Sequence, residues 1–512
     1  MLNRFDVIQK VRRALAFVLC FGVTGVPAWA GAARNWSDEV LYFVLIDRFA
    51  DGDSSNNFKV QRSNPGGYHG GDLKGLTQHL DELSDLGITV LWINPVQKQM
   101  ANGLSAQAPA KLGIPEFQHY GFHGYWIDDF TAMEPQFGSV ADLKDLVDEA
   151  HKRGIKVLLD VVYNHSGYRS TYEGRKTTDG QDWVRFAEGN CDVDPVKCRV
   201  GGLPDFRTEL PEVRDYLLNA NIKLAKQAGV DGFRLDTYKH VETDFWLEHR
   251  KRTRAELGKG FYLLAEHWGG TASSLDPYFA RDEIDAGFDF SFKGNCESFA
   301  NGRGRPIAFG SYLGKRHVIR NGYQVVDYLS THDEPMALAN LGRDKDKFRL
   351  CAALQMTSIG IPMIYYGEEV GRGGSEWPTN RNDMPWGERD ILPGKGVARD
   401  ESLRLYYKEL IRIRHQHPAL TRGDYSLLSG PQDSLLAFSR IDAESGDAVV
   451  VVVNRDADMV SADYVLQNGL KDREIVDAMN GTLVKVENGR MHLDVAAKTA
   501  RILSALPGKV AR

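Results

Sequence analysis

From Val40 to Pro418 the chain alternates between two patterns of apolar and polar positions. Short, nearly unbroken apolar runs read as buried strands. The stretches between them return Leu, Val or Ala every third or fourth position, as an amphipathic helix does. The runs are Val40 to Ile46, Ile88 to Ile93, Ile155 to Asp160, Val230 to Asp236, Tyr262 to Ala265, a weaker one at Phe288 to Phe292, Gln324 to Ser330 and Ile361 to Tyr366. Leu76, Leu80, Leu83 and Leu86 mark a helix between the first two, and Val140 to Arg153 and Val213 to Gln227 mark those before the third and fourth. Strand–helix units in this number and length predict an α/β fold, a (β/α)8 TIM barrel with long loops. A doubly wound open sheet has the same periodicity, and the lack of a G-x-G-x-x-G after the first strand counts against it.

Two polar insertions interrupt the alternation. One runs from Asp47 to Asp72 and the other from Ser166 to Phe206. Loops of this length are commonly functional. From Leu420 the pattern changes to short strand-like pieces, with a β-branched run at Ala448 to Val453 and turn signals at Asn480-Gly481 and Asn488-Gly489. The expected organisation is a signal peptide over 1–30, a catalytic barrel over 31–165 and 207–418, a short loop domain inserted after strand 3 over 166–206, and a C-terminal all-β sandwich domain over 419–512.

Four of the strand-like runs end in a carboxylate: IKVLLD at Asp160, VDGFRLD at Asp236, FYLLAE at Glu266 and VVDYLSTHD at Asp333. In a parallel barrel the strand C-termini open onto one face, so these acids converge on one cleft. Cleavage of a glycosidic bond needs such a group: one ionised carboxylate and one protonated carboxyl. Arg234 lies two residues before Asp236 on a strand, on the same side, and a guanidinium there holds the acid charged, as a nucleophile must be. Glu266 ends an apolar run and precedes Trp268; such surroundings raise a carboxyl pKa and suit an acid/base. Asp333, beside His332, offers a third carboxylate for positive charge on a sugar ring. His165 lies near the same face. A set of unrelated surface acids explains this recurrence poorly.

Composition adds little and excludes something. Apolar residues make up 42% and charged residues 26% of 512, and the formal net charge is -6. That is ordinary for a soluble globular protein and gives no basic face for nucleic acid. The N-terminus reads as a targeting segment: Arg4, Lys10, Arg12 and Arg13, then apolar Leu15 to Val26, then Ala28-Trp29-Ala30, with cleavage expected after Ala30. A secreted or periplasmic product without stable membrane insertion follows. Export permits disulfides; Cys191 and Cys198, in a polar segment, are read as closing a small loop, whereas Cys296 and Cys351 are left open. No C-x-x-C pair points to zinc.

These motifs together resemble the α-amylase superfamily of retaining α-glucan enzymes, most like calcium-dependent bacterial α-amylases and cyclomaltodextrin-active relatives. DVVYNH (Asp160 to His165), GFRLDTYKH (Gly232 to His240), LLAEHW around Glu266 and YLSTHD ending at Asp333 resemble the family's four signatures in order. GGLPDF, FHGYW and IYYGEEVG resemble further segments. The resemblance implies Asp236 as nucleophile, Glu266 as acid/base and Asp333 as transition-state stabiliser. It implies sugar binding by Arg234, His165 and His332, stacking by Tyr125 with His123 near it, an orienting role for Asp160, and an aglycone-side pair in Lys239 and His240.

Calcium is the implied cofactor. Asp51-Gly52-Asp53-Ser54-Ser55-Asn56-Asn57 is rich in oxygen ligands but is not an EF-hand. It resembles a loop of cyclodextrin glycosyltransferases completed by a later G-G-D, here Gly70-Gly71-Asp72. The implied ligands are Asp51, Asp53, Asn56, Asn57, the Gly70 carbonyl and Asp72. A second site resembling that of calcium-dependent amylases would use Asn164, Asp205 and the His240 carbonyl. GLPDF lies between the amylase form and those of neopullulanases and oligo-α-1,6-glucosidases, and His267-Trp268 departs from the pair common in transglycosylating relatives. The expected activity is hydrolysis of α-1,4-glucans or maltooligosaccharides. A cyclomaltodextrinase or neopullulanase-type hydrolase or a transglycosylase is the alternative, and a catalytically silent glycan-binding protein a remote one.

Overall fold

Eight short parallel strands form the centre of the molecule: β1 (Leu41–Val44), β2 (Val90–Ile93), β3 (Lys156–Val161), β4 (Gly232–Leu235), β5 (Tyr262–Ala265), β6 (Ala286–Phe288), β7 (Gln324–Tyr328) and β8 (Ile361–Tyr365). They close into a barrel in the order β1-β8-β7-β6-β5-β4-β3-β2. The computed structural model describes residues 35–316, 319–430, 432–466, 470 and 474–505. The expected signal peptide, with Ala30 at its cleavage site, lies outside the described residues. Nearly every barrel-strand residue is buried, because helices cover the outside and side chains fill the inside; hence the unbroken apolar runs.

The helices begin and end where local chemistry dictates. Val140–Lys152 opens with a reciprocal capping box between Ser139 and Asp142. Pro211–Ala228 starts with proline in its first turn and stops at Gly229, whose φ of 79° favours a residue without Cβ. Two expectations need correction. The leucine-spaced segment is two helices, Leu73–Gln78 and Leu80–Leu86, divided at His79. The sixth strand is Ala286–Phe288, not Phe288 to Phe292. The Asp289 side chain accepts from Ser291 N and caps helix Phe290–Ala300, so the alternating F-D-F-S-F is a strand end running into a helix start.

The insertion after β3 carries little regular structure. Val184–Arg185 pairs antiparallel with Asp205–Phe206, and a disulfide joins Cys191 to Cys198. Cys296 and Cys351 are free and buried. The C-terminal region, beginning at strand Asp424–Leu427, is a β-sandwich of a six-stranded and a three-stranded sheet. Its strand Ala448–Asn454 is buried along its whole length. Val449, Val451 and Val453 join the barrel's apolar core, while Val450 and Val452 join a second core inside the sandwich. Buried Arg440 donates to Thr357 O at 3.0 Å and to Gly423 O at 3.1 and 3.0 Å, tying this region to the barrel. Among the described residues no helix is long and apolar enough to cross a membrane.

Candidate active site

Register alone brings the acids together. Arg234 pairs with Asp160 on β3, and Leu235 pairs with Ala265 on β5. The next residues, Asp236 and Glu266, therefore stand abreast on neighbouring strands, about 4.8 Å apart in the sheet direction. Arg234 is shared among three carboxylates. Its Nη1 donates to Asp236 Oδ1 at 2.9 Å and to both Asp160 oxygens at 3.1 Å, and its Nη2 lies 3.0 Å from Glu266 Oε1.

A second bridge was not foreseen in the sequence. Thr237 N donates to Glu266 Oε2 at 2.8 Å and Thr237 Oγ1 to Asp236 Oδ2 at 3.1 Å. The residue does so from a left-handed backbone, φ 46° and ψ 39°, which a β-branched residue rarely adopts. Such strain concentrates at sites whose surroundings over-determine it.

The carboxyls differ in environment. Burial pushes Glu266 up to about 8; Arg234 opposes this, and the negative charges of Asp236 and Asp333 reinforce it. Burial also lifts Asp160, to about 7, against the pull of Arg234. Asp160 is fully enclosed and accepts from Tyr125 OH at 2.8 Å and Trp92 Nε1 at 3.1 Å. Asp333 stands five residues past the end of β7, on the loop, with a third of its side chain open. Burial would raise it, but contacts with His332 Nε2 at 2.9 Å and Arg381 Nη2 at 3.1 Å outweigh that and hold it below the usual carboxylate range. Burial drives His332 itself toward its neutral form, so we assign the hold to the fixed charge of Arg381 and the imidazole N–H.

The remaining expected residues fall around these acids. The His332 and His123 rings lie near-parallel to Tyr125, with ring centres 5.2 and 5.7 Å away. His165 Nε2 lies 3.2 Å from Tyr125 O. His240 lines the cleft and is braced from behind by Pro195 O, 2.7 Å from its Nδ1. Lys239 is half-buried beside it and does not line the cleft. The cleft holds about 490 Å³. His119, Trp126, Trp268, Trp377 and Arg381 also line it. All five lie in loops outside the barrel strands; Trp126 and Trp268 close the FHGYW and LLAEHW motifs, while His119, Trp377 and Arg381 lie outside any recognised motif.

Two oxygen clusters bring together most of the expected metal ligands; the Asp53 carboxylate instead accepts from Ser55 N at 3.0 Å and from Lys74 Nζ at 3.2 Å. In the first, Asn56 Oδ1 and Asn57 Oδ1 are buried without a partner. Their amide nitrogens donate to Asp72 Oδ2 at 3.1 Å and Asp51 Oδ2 at 2.8 Å, and Gly70 turns at φ 97° beside them. Orphaned amide oxygens next to two carboxylates fit a hard cation. Arg62 Nη2 also sits on Asp51 Oδ2, at 2.8 Å. In the second, the Asn164 amide lies 2.9 Å from His240 O and 3.3 Å from Asp205 Oδ1. Its nitrogen satisfies both if turned inward, and Arg185 Nη1 bonds Asp205 Oδ2 at 2.7 Å.

A closed (β/α)8 barrel with paired carboxyls in unlike environments at its C-terminal face defines a glycoside hydrolase. The chain belongs to the alpha-amylase family, whose catalytic-domain profile matches residues 43–196 and 196–391. It is 30% identical over 500 residues to neopullulanase 2 of Thermoactinomyces vulgaris, covering 93% of this chain and 78% of that one. It is 30% identical over 458 residues to a cyclomaltodextrinase of a Bacillus species, covering 84% and 74%. Among solved structures, an Anoxybacillus alpha-amylase superposes with a TM-score of 0.80 at 28% identity, over 93% of this chain and all of that one.

Proposed function

We propose that this protein is a retaining hydrolase of α-1,4-glucosidic bonds in small soluble α-glucans, of the cyclomaltodextrinase and neopullulanase type. The observation that carries the mechanism is the abreast placement of Asp236 and Glu266, bridged by one guanidinium and one threonine. Retaining pairs stand roughly 5–5.5 Å apart and inverting pairs roughly 6.5–9.5 Å, with room for a water. The names of the neopullulanase and cyclomaltodextrinase relatives favour pullulan and cyclomaltodextrins over the starch reading; the likeness to the Anoxybacillus alpha-amylase keeps that reading as the second. Initial rates on maltoheptaose, β-cyclodextrin, pullulan and soluble starch separate them. The first reading expects cyclodextrin or pullulan to be cleaved faster than starch; starch as the fastest substrate overturns it.

In the first half-reaction Glu266 gives its proton to the glycosidic oxygen while Asp236 attacks the anomeric carbon, forming a glycosyl ester and releasing the shortened chain. Ionised Asp333 faces the positive charge that develops on the ring. Once Asp236 is esterified its charge is gone, and with it one of the causes that raise Glu266. Glu266 then ionises more easily and takes a proton from the water that cleaves the ester. Because the first step needs protonated Glu266, kcat/KM should fall as pH rises through about 8. An alkaline limb below pH 6, or none up to pH 10, would contradict the assignment.

We assign calcium to the first oxygen cluster, with Asp51, Asp53, Asn56, Asn57, the Gly70 carbonyl and Asp72 as its ligands. The ion would cross-link the first loop; it takes no part in the chemistry. Binding has to displace Arg62 from Asp51. The second cluster is satisfied by Asn164 and Arg185 without a metal. The expected result is one calcium per chain by titration calorimetry, with a melting temperature lowered by EDTA and restored by calcium. Arg62→Ala should tighten binding several-fold. A melting temperature indifferent to both reagents would remove calcium from the account.

A further inference from the structure

The insertion after β3 touches the cleft through a small covalent ring. Between Arg185 and Val200 the chain forms neither helix nor strand, and the Cys191–Cys198 disulfide closes seven positions of it into a loop. Turns inside the ring are set locally. Asn190 O accepts from Val193 N at 3.0 Å and from Asp194 N at 2.9 Å. Asp194 Oδ1 accepts from Val196 N at 3.1 Å and from Lys197 N at 3.2 Å, wrapping the chain around Pro195. Pro195 has no N–H, so its carbonyl is the one hydrogen-bonding group it offers. That carbonyl lies 2.7 Å from His240 Nδ1, and Cys198 Sγ lies 4.0 Å from the same nitrogen. The ring is no apolar core of its own: Val193 at its tip is 80% exposed. Its buried end is Cys198, against His240.

His240 is held from two directions. Its backbone belongs to the barrel. It ends the single turn Tyr238–His240, where Tyr238 O accepts from Trp246 Nε1 at 3.0 Å, and that turn starts from Thr237, which bridges the two acids. Its imidazole is oriented by the insertion, through Pro195 O. The hydrogen bond made by one ring nitrogen decides the role of the other. With Nδ1 donating to a carbonyl, the neutral ring keeps its proton there, and Nε2 on the opposite edge accepts.

Thr237, His240 and Trp268 line the cleft beside Glu266. The acid protonates the leaving oxygen, so the departing sugar lies on this side and presents hydroxyl donors to it. We infer that the Cys191–Cys198 disulfide is a positioning device for this side of the cleft: it holds the Pro195 carbonyl on His240 Nδ1 and so presents Nε2 to a hydroxyl of the departing sugar. This rests on the hydrolase reading above. Among the described residues, none from Cys191 to Cys198 bonds Asp236, Glu266 or Asp333, whose partners are Arg234, Thr237, His332 and Arg381. Opening the ring therefore loosens the grip on the leaving sugar and spares the acids. A dithiol reductant opens it: two electrons and two protons pass to the sulfur pair, and the reductant closes as its own disulfide. Cys296 and Cys351 are already thiols and stay as they are.

The test compares two substrates. Maltoheptaose places a sugar beside Glu266 as the leaving group, whereas α-maltosyl fluoride places only fluoride there. Reduction, or the double variant Cys191→Ser with Cys198→Ser, should lower kcat/KM on maltoheptaose about three- to tenfold, the range of one hydrogen bond, with the change in KM rather than kcat. On α-maltosyl fluoride kcat/KM should stay within about twofold. In a His240→Ala background, opening the ring should raise KM for maltoheptaose no further, because both changes remove the same contact. Equal losses on the two substrates, no loss on either, or a further rise in the His240→Ala background overturn the positioning role and leave hydrolysis standing. No cleavage of either substrate by the unaltered protein overturns both.

Discussion

Asp236→Asn lowers kcat on maltoheptaose by about 10⁴-fold or more, while the protein folds and still binds oligosaccharide. An amide oxygen cannot form the glycosyl ester, and no other carboxylate reaches the same position: Asp160 is enclosed by Arg234, Tyr125 and Trp92, and Asp333 is held by Arg381 and His332. The fold tolerates the change because Arg234 keeps Asp160 and Glu266 as partners. Kinetics with circular dichroism and calorimetric titration of maltotriose decide the matter. Turnover near that of the unaltered protein would end the assignment.

Glu266→Gln has a different signature. On oligosaccharides the loss should be about 10²–10⁴-fold, the range of a general acid. α-Maltosyl fluoride needs no proton to lose fluoride, so its first step should persist, and added azide should intercept the ester as β-maltosyl azide. The same loss on both substrates would place the acid elsewhere. Stability should move the other way. Burial raises Glu266 to about 8 in the folded chain, above its ordinary value, so its contribution is fully present in acid and is lost as pH rises through about 8. Glutamine removes that dependence. The variant should melt at or above the unaltered protein at pH 8 to 9.

What the sequence showed and hid follows from range. Tyr262–Ala265 appears as read, and β7 and β8 are shorter than read by two residues and one at their C-terminal ends. A buried parallel strand announces itself through its own residues. The charged site was legible for the same reason: Arg234, Asp236 and Glu266 lie on or one step past such strands. The site's other half was not. Arg381, which bonds Asp333, lies 48 positions away in a loop without periodicity. Thr237 looked like an ordinary neighbour of Asp236; its left-handed backbone accompanies hydrogen bonds to both acids. Asp289 misled because a capping side chain and a strand's polar position look alike in one dimension.

The unbroken valines of Ala448–Asn454 decide how separable the two halves of this chain are. Odd-numbered valines belong to one apolar interior and even-numbered ones to another, so the strand is a party wall rather than an outer wall. A chain cut short near Pro418 would strip a seam of greasy surface bare. The catalytic half is therefore a poor candidate for a portable cassette: trimmed or grafted onto another carrier, it should clump, and any minimal enzyme built from this sequence must keep its tail.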